Sequence, residues 1–403
     1  MMTIEAVGRR ADRLRKRRRL RRIVTVVLVV VLAGAGGGTY LAVAHHPKKK
    51  IHAAIYGTPD QGPQIVTLLA MDAHGAKSGR ADSLTLFAID RTGDSPVTLF
   101  VPTRTLTQVP AFAYTSIGDA LIDTPFLERI SLENMIGISV DDVVTFDDVV
   151  MGRFINSLGG LDIDVDQDVY VTNDAGGRVL EFQHGPQHMD AATAVLYMTD
   201  IGDGQNELDR FPRQHQVWNA ILSLGREKIQ NALASLTDAD VDPDQRQALS
   251  LVLGAIAAAP DGERAWETMP VTTVISGGPE EAYQVDTSNL DAMAQRDFAA
   301  STFGTVPSAR PSIEIQNGTG VAGAGERPAA LLVEDGFKIA IARNADSFRH
   351  AHTTITVYGQ NDAARALADR LRTLLGRGAV QFAPQGQTVV QATIVIGRDF
   401  VNP

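Results

Sequence analysis

Apolar residues recur along the first half of the chain with two different spacings, and each spacing predicts a different element. Residues 65–70, 83–89 and 97–101 are rich in β-formers and bounded by Gly, Asp or Pro, which predicts three strands. Residues 127–136 and 147–158 place apolar side chains at helical spacing, which predicts two helices. Strands mixed with helices in this order are typical of an α/β layer architecture.

The middle of the chain continues this mixture. Residues 161–166 alternate strictly between apolar and acidic side chains, which predicts a half-buried strand. The pattern also predicts a long amphipathic helix from residue 210 to about residue 229, and another over 244–259. Residues 299–311 are small, Ser/Thr-rich and contain two prolines, so we predict a linker there.

A second α/β pattern follows this predicted linker. Strands are predicted at 313–316, 338–342, 354–358 and 393–397, and helices near 328–335 and over 362–375. About 90 residues is an ordinary size for a small domain. We therefore predict one folded domain over 64–298 and a smaller α/β domain over 312–400.

The N-terminal segment has a different pattern. Ten Arg and Lys residues lie within 9–22, and residues 23–44 carry no charge. An apolar run of this length can span a bilayer, and its basic flank should stay in the cytoplasm. We predict a single-pass protein of the cell membrane, with a cytoplasmic tail (1–22), a transmembrane helix (23–44), a stalk (45–63) and an extracytoplasmic remainder. Because residues 42–44 also fit a cleavage site, a secreted protein is the alternative.

Charge and cysteine content narrow the chemistry. The chain has 37 basic and 47 acidic residues, and its first 50 residues hold 13 and 2 of them, so residues 51–403 carry a formal charge of −21. A domain this acidic should repel nucleic acid, so we expect no nucleic-acid partner. The chain has no cysteine, which excludes disulfides, thiolate metal sites and a cysteine nucleophile.

The first candidate site lies at the ends of two predicted strands, where ligands usually bind in α/β sheets. Asp72 follows the first strand, and Arg80 and Asp82 precede the second. Two carboxylates and a guanidinium suit a divalent cation that bridges phosphate oxygens, with Arg80 holding a phosphate. A surface Arg–Asp pair on a loop is the simpler alternative.

The second candidate site opens the predicted long helix. Arg210 and Arg213 lie in its first turn, where cations oppose the helix dipole and therefore favour a compensating anion. The two guanidinium groups and the first-turn amides suit a phosphate. The alternative is that Asp203, Glu207 and Asp209 neutralise the arginines.

These motifs, in this order, resemble the LytR–CpsA–Psr (LCP) family over roughly residues 64–225. The resemblance is carried by Asp72, Arg80-x-Asp82, Val101-Pro102, 159–165, 185–187 and Asp209-Arg210-x-x-Arg213-Gln214. Residues 313–323 resemble the start of the LytR C-terminal domain that follows the LCP domain in many actinobacterial members.

The resemblance implies a three-layer α/β/α domain outside the membrane, with an apolar cavity for a polyprenyl tail. It implies transfer of a glycopolymer from a polyprenyl diphosphate carrier to peptidoglycan, with Mg²⁺ or Mn²⁺ bridging the diphosphate. Asp72 and Asp82 would serve the metal. The groups that would face the phosphates are Arg80, Arg210, Arg213 and Gln214. The candidate cavity residues, which fit an ordinary core equally well, are Val149, Phe154, Leu158, Trp218 and Leu222.

The chain departs from the family pattern at several arginines. The family's Pro-Arg-Asp is replaced here by Pro102-Thr103-Arg104, and its Arg-x-Arg falls on Thr199 and Ile201. The arginine usually found just after the first Asp is replaced by His74. Losing one oxyanion-stabilising group typically costs roughly 10²–10³ in rate.

We therefore predict a membrane-anchored envelope protein that binds polyprenyl-phosphate-linked glycopolymer in an accessory, non-catalytic role. The alternative is an active, metal-dependent glycopolymer–peptidoglycan phosphotransferase in which Arg104 compensates for the missing groups. In either case the expected partners are the lipid-linked glycopolymer, peptidoglycan and the membrane.

Overall fold

The structure is a computed structural model that describes most of the chain after residue 63. The described ranges are 64–72, 79–90, 96–110, 112–122, 124–172, 176–276, 281–384 and 389–401. The predicted tail, transmembrane helix and stalk lie outside them, as does His74. Within these ranges, the helices are too short or too polar to cross a bilayer.

The strands and helices alternate along the chain much as the apolar pattern predicts. The strands are β1 (Gln64–Asp72), β2 (Ser83–Asp90), β3 (Val97–Val101), β4 (Leu106–Gln108), β5 (Tyr114–Ser116), β6 (Asp142–Asp147), β7 (Leu161–Val165), β8 (Val169–Thr172), β9 (Arg178–Phe182), β10 (Gly185–Met189), β11 (Ala265–Thr268), β12 (Val271–Ile275), β13 (Ala282–Val285), β14 (Ser312–Asn317), β15 (Lys338–Asn344), β16 (Thr354–Tyr358), β17 (Ala379–Ala383) and β18 (Ala392–Ile396). The helices are α1 (Pro125–Ile136), α2 (Asp148–Leu158), α3 (Ala191–Thr199), α4 (Phe211–Ser223), α5 (Arg226–Ala234), α6 (Pro243–Ala258), α7 (Thr287–Asp297), α8 (Glu326–Glu334), α9 (Asp362–Leu375) and α10 (Arg398–Val401).

The first five-stranded sheet has the order β11-β3-β2-β1-β6 and mixes parallel and antiparallel pairs. Its central strands β1 and β2 are buried on both faces, and their sequences are correspondingly near-continuous apolar runs. Leu69 and Phe87 join one core cluster with residues of α2, α4 and α6, whereas Leu68 and Leu86 join another with residues of α1 and α7. Helices therefore lie on both faces of this sheet.

The five predicted cavity residues do not all lie in this core. Four of them are no more than 1% exposed and pack in the first cluster, namely Phe154, Leu158, Trp218 and Leu222. Val149 is 53% exposed and lies outside it.

The second five-stranded sheet has the order β15-β14-β18-β16-β17. Strand β14 runs parallel to both of its neighbours, and β16 runs antiparallel to β18. Helix α8 packs on β15 and helix α9 on β16, so that the chain after residue 311 forms a small mixed α/β sheet with its own helices.

The predicted long helix after residue 210 is interrupted. Helix α4 ends at Ser223 and α5 begins at Arg226, with Gly225 between them at a φ of 86°. Its ψ is 159°, a combination of positive φ and extended ψ that interrupts the helix and is essentially restricted to glycine. The break turns α5 against α6, which buries Ile229 and Leu233.

The predicted linker, 299–311, is packed against the first sheet's helices. The Ser139 amide donates to the carbonyl of Ser301 at 2.7 Å. Arg310 is 3% exposed, and its guanidinium donates to the carbonyls of Glu133, Asn134 and Phe337. Buried charge-assisted hydrogen bonds of this kind fix the segment in place.

Asn134 connects α1 to the second sheet. Its side chain accepts from the Ile339 amide at 2.7 Å and donates to the Ile339 carbonyl at 3.0 Å and the Gln108 carbonyl at 3.2 Å. Asn134 is 1% exposed, so removing its amide leaves buried backbone groups unsatisfied.

We expect Asn134→Ala to lower the free energy of unfolding by about 2–3 kcal/mol, because each buried unpaired group costs roughly 1–3 kcal/mol. Urea unfolding of the purified chain measures this. The control is Asn231→Ala on the exposed face of α5, for which we expect a change within about 0.5 kcal/mol. Equal losses in both variants would contradict the assigned role of Asn134.

Candidate functional site

The two predicted metal ligands lie at one end of the β1–β2 pair. Asp72 is the last residue of β1, and its Oδ2 accepts from the Gly79 amide at 3.1 Å. Asp82 immediately precedes β2, and its amide donates to the carbonyl of Met71 at 2.7 Å. The fold therefore brings both carboxylates to the same sheet end.

Asp72 and Asp82 suit two of the ligand positions of a Mg²⁺ ion. Within the described ranges no three His, Asp or Glu side chains are grouped to hold a metal ion. Mg²⁺ commonly takes one or two protein carboxylates together with phosphate oxygens and water. The donor set of Asp72 and Asp82 suits an ion that arrives with a phosphate ligand.

Arg80 lies beside these residues and is held by a carboxylate. Its Nε is 3.0 Å from Oδ1 of Asp119, and its side chain is 45% exposed. Asp119 is itself fixed, because its Oδ2 accepts from the Thr115 hydroxyl at 2.6 Å. Asp119 did not stand out in the sequence, since 39 residues separate it from Arg80.

Arg210 is buried at the centre of the site. Its guanidinium donates to the carbonyls of Asp82 at 2.5 Å and Thr199 at 2.8 Å, and its Nη2 is 3.3 Å from Oε1 of Glu207. Burial lowers the pKa of Arg210, while the charge of Glu207 raises it. The Nε atom has no partner among the described residues. Arg210 therefore joins the end of α3 to the start of β2.

Glu207 occupies a position that the family resemblance did not identify. Its Oε1 accepts from both the amide and the hydroxyl of Thr103 at 2.7 Å, and its Oε2 accepts from the Arg104 amide at 3.1 Å. It is 1% exposed. The residue at the family's arginine position is therefore bound to a carboxylate that also contacts Arg210.

The three acids that the sequence offered as neutralising groups have different roles. Glu207 contacts Arg210, as that alternative proposed. Asp203 instead accepts from the Thr172 hydroxyl, and Asp209 accepts from the Asn206 amide at 2.8 Å. Only part of the acidic cluster therefore offsets the arginines.

Arg104 extends toward a second buried carboxylate. Its Nη1 is 3.2 Å from Oε2 of Glu281, which is 5% exposed. After the larger effect of burial, the positive charge of Arg104 also contributes to lowering the pKa of Arg210. The structure thus brings Asp82, Arg104 and Arg210 into one region.

Arg213 lies one turn further along α4. Its Nη2 donates to the carbonyl of Asp200 at 2.5 Å and to Oε1 of Gln205 at 3.2 Å. Its Nε and Nη1 have no hydrogen-bond partner among the described residues, although the residue is only 5% exposed. The guanidinium carbon lies over the Tyr197 ring, 5.7 Å from its centroid. Burial lowers its pKa, and the charge of Arg210 adds to this. Buried donors without partners are rare and call for an explanation.

Gln214 also has a buried polar atom without a hydrogen-bond partner in the described part of the chain. Its Nε2 donates to the carbonyl of Met198 at 3.2 Å, while its Oε1 has no partner among the described residues. Gln214 is fully buried, and its hydrogen bond to Met198 places its side chain at the end of α3.

A small pocket borders Arg213. Its walls include Tyr197, Gln205, Gln216 and Asp209. The Tyr197 hydroxyl donates to Oε1 of Gln216, and burial raises the pKa of Tyr197 to about 12. The pocket therefore presents two carboxylates as well as amides, a phenol and a guanidinium.

Asp200, which lies between the two positions of the family's Arg-x-Arg, forms an acidic pair with Glu181 of β9. Burial, a hydrogen bond with Asp200 and the charge of Asp200 raise the pKa of Glu181 to about 7. In the folded chain the neutral form is favoured, so this group stabilises the fold at low pH. That contribution is lost as pH rises from about 4.5 through about 7.

We therefore expect Glu181→Gln to raise the melting temperature at pH 8 by about 2 °C, and to leave it nearly unchanged at pH 4.5. Thermal unfolding at both pH values measures this. Glu263→Gln, an exposed carboxylate, is the control and should show no pH-dependent difference. A lower melting temperature for Glu181→Gln at pH 8 would contradict the assignment.

Two family models match the chain. The model of the LytR_cpsA_psr family matches residues 29–239, and the model described as LytR cell envelope-related transcriptional attenuator matches residues 310–400. The first covers just over half of the chain.

Two curated relatives show limited identity. The probable cell wall biosynthesis protein LcpB of Corynebacterium glutamicum is 25% identical over 148 residues, which is 36% of this chain and 34% of LcpB. The polyisoprenyl-teichoic acid–peptidoglycan teichoic acid transferase TagV of Bacillus subtilis is 26% identical over 175 residues, which is 40% of this chain and 43% of TagV. The chain thus matches less than half the length of either relative.

Two solved structures are also similar. The crystal structure of B. subtilis TagV has a TM-score of 0.49 and 20% identity, covering 60% of this chain and 98% of that one. The family protein YwtF (TagT) with bound octaprenyl pyrophosphate lipid has a TM-score of 0.45 and 19% identity, covering 60% and 92%.

Proposed function

This chain belongs to the LytR_cpsA_psr family, and we propose that it binds a polyprenyl-phosphate-linked or diphosphate-linked glycopolymer in the cell envelope in an accessory role. One observation carries the proposal. In the motif from Asp209 to Gln214, Nε of Arg210 and both Nε and Nη1 of Arg213 are buried without hydrogen-bond partners among the described residues. A diphosphate supplies the acceptor oxygens that such donors lack.

A divalent cation would be part of this complex. Three of the site's four guanidinium groups are offset by its own carboxylates, because Arg80 contacts Asp119, Arg210 contacts Glu207 and Arg104 contacts Glu281. A diphosphate entering this region would face Asp72 and Asp82 as well. Mg²⁺ or Mn²⁺ held by those two carboxylates would neutralise the charge of the phosphate oxygens.

The contacts of Thr103 favour binding over turnover. Where the family pattern has an arginine, this chain has Thr103, whose hydroxyl donates to Glu207. The positive charge of the arginine is therefore missing at this position. Thr199 donates to the carbonyl of Val195 and supplies no charge either. Phosphoryl transfer depends mainly on charge neutralisation at the transferred group, so these losses reduce catalytic power.

The second candidate is an active phosphotransferase. It is favoured by the Asp72–Asp82 pair, by the exposed guanidinium of Arg80, and by Arg104, whose amide is bound to the carboxylate that also contacts Arg210. The relative TagV is named a teichoic acid transferase. In this case the chain would attach the glycopolymer to peptidoglycan and would require the metal.

The proposed location is the outer face of the cell membrane, with residues 23–44 as the membrane-spanning segment. Binding a lipid-linked substrate suits a domain tethered close to a bilayer.

Mass spectrometry of lipid extracted from the purified full-length chain tests the proposal. We expect a polyprenyl phosphate or diphosphate lipid at near-stoichiometric amount. Arg213→Gln should lose that lipid, whereas Arg264→Gln, which removes a guanidinium of similar burial elsewhere, should keep it. A lipid composition identical to that of the surrounding membrane in all three proteins would contradict it.

A further inference from the structure

Glu281 is a buried carboxylate that joins three distant segments of the chain. It immediately precedes β13 and is 5% exposed. It lies outside residues 29–239, the span matched by the LytR_cpsA_psr family model, so that match assigns it no role. Buried carboxylates are rare unless they are paired, so its partners define its role.

Both oxygens of Glu281 are engaged. Oε2 accepts from Nη1 of Arg104 at 3.2 Å. Oε1 accepts from the Tyr283 hydroxyl and from the Glu207 amide, the latter at 3.4 Å. The carboxylate therefore holds the guanidinium of Arg104 and the backbone of Glu207 in a fixed relation.

Tyr283 holds the backbone of the same arginine. Its amide donates to the Arg104 carbonyl at 3.2 Å, and it forms a β-bridge with Thr105. The Tyr283 ring is fully buried, and burial together with Glu281 raises the pKa of its hydroxyl, which stays protonated and donating. Side chain and backbone of Arg104 are thus both attached to β13.

The opposite side of Arg104 is attached to the centre of the site. Its amide donates to Oε2 of Glu207 at 3.1 Å, and Oε1 of Glu207 contacts Arg210. Glu207 therefore contacts both the backbone of Arg104 and the guanidinium of Arg210. A long side chain held in advance loses less conformational freedom when it binds an anion.

We propose that Glu281 is a positioning residue that holds Arg104 toward the anion bound by Arg210, and so compensates for the displacement of the arginine from position 103 to position 104. The inference rests on the proposed function, because it assigns Arg104 to the same anion. Tyr283 supports it by fixing the carboxylate.

A double-mutant cycle on the full-length chain tests this with inorganic pyrophosphate and Mg²⁺ in titration calorimetry. The proteins are the unaltered chain, Glu281→Gln, Arg104→Ala and the combination. We expect Glu281→Gln to lower affinity about 5-fold when Arg104 is present and less than about 2-fold when it is alanine, since a residue that acts through a partner couples to it. Tyr283→Phe should show a smaller loss with the same dependence on Arg104.

Two binding results would overturn the proposal. Equal losses from Glu281→Gln in both backgrounds would mean that the residue supports the fold alone. A gain in affinity from Glu281→Gln would mean that the carboxylate withholds Arg104 from the ligand.

A ligand-free measurement separates this inference from the proposed function. The rate of phenylglyoxal modification of Arg104, followed by peptide mass spectrometry, should rise at least about 3-fold in Glu281→Gln as the guanidinium is released. The rate at Arg264, which is paired with Asp261, should not change. If pyrophosphate fails to bind the unaltered chain, the proposed function fails. An unchanged rate at Arg104 would overturn the positioning role whether or not pyrophosphate binds.

Discussion

Replacing Arg213 by glutamine should lower the affinity of the full-length chain for Mg²⁺–pyrophosphate by about 30-fold or more. Two of its buried nitrogens lack partners among the described residues, and each charge-assisted hydrogen bond to a ligand contributes roughly 1.5–3 kcal/mol. A loss of about 1.4 kcal/mol is tenfold in affinity, so losing even two weak bonds exceeds the stated effect. Titration calorimetry measures it directly.

The matched control is Arg264→Gln. Its side chain is 5% exposed, and its Nη1 is 2.7 Å from Oδ1 of Asp261. Its other guanidinium nitrogens donate to the carbonyls of Ile256, Ala257 and Ala259 at the end of α6. Both variants remove a buried guanidinium and should destabilise the fold comparably, but only Arg213→Gln should weaken binding. Comparable affinity losses in the two variants would show that the effect comes from folding.

Removing the metal should have the second large effect. Chelation of Mg²⁺ is expected to lower the affinity for pyrophosphate at least about 100-fold, because the ligand would then meet Asp72 and Asp82 without a bridging cation. Asp82→Asn should respond in opposite directions under the two conditions. Its affinity should fall about 10-fold with Mg²⁺ and rise slightly with chelator, since one repelling charge is gone.

Asp362→Asn, on the exposed start of α9, is the control and should leave both affinities unchanged. Binding that is equally tight with and without chelator in the unaltered chain would remove the metal from the account. A loss for Asp82→Asn under both conditions would instead indicate a structural role for its side chain.

Local pattern was sufficient for most elements of the fold. The β-rich run at 65–70 lies within β1, and the helix predicted at 244–259 is α6 shifted by one residue at each end. The break at Gly225 was missed because apolar spacing continues across it, and a single glycine is tolerated in many helices. The glycine conformation interrupts the helix, and the contacts that α5 makes with α6 after the turn are not visible in the local pattern.

The site was accessible from sequence only where its residues are close together. Arg210 and Arg213 were found through their spacing in one motif, and Glu207 was found as their neutralising neighbour. Glu281 could not be found this way, because 177 residues separate it from Arg104 and their contact depends on β13 lying beside the loop after β3. The arrangement of buried carboxylates, rather than the motif, determines how much positive charge remains for a ligand.

The most direct test adds a polyprenyl diphosphate to the full-length chain, with Mg²⁺ or with chelator, and follows bound lipid and released phosphate product together. The account predicts metal-dependent binding that is lost in Arg213→Gln, without product release. Metal-dependent release would show cleavage of the diphosphate, which contradicts the non-catalytic role and favours the phosphotransferase. The absence of binding under both conditions would contradict the proposed ligand.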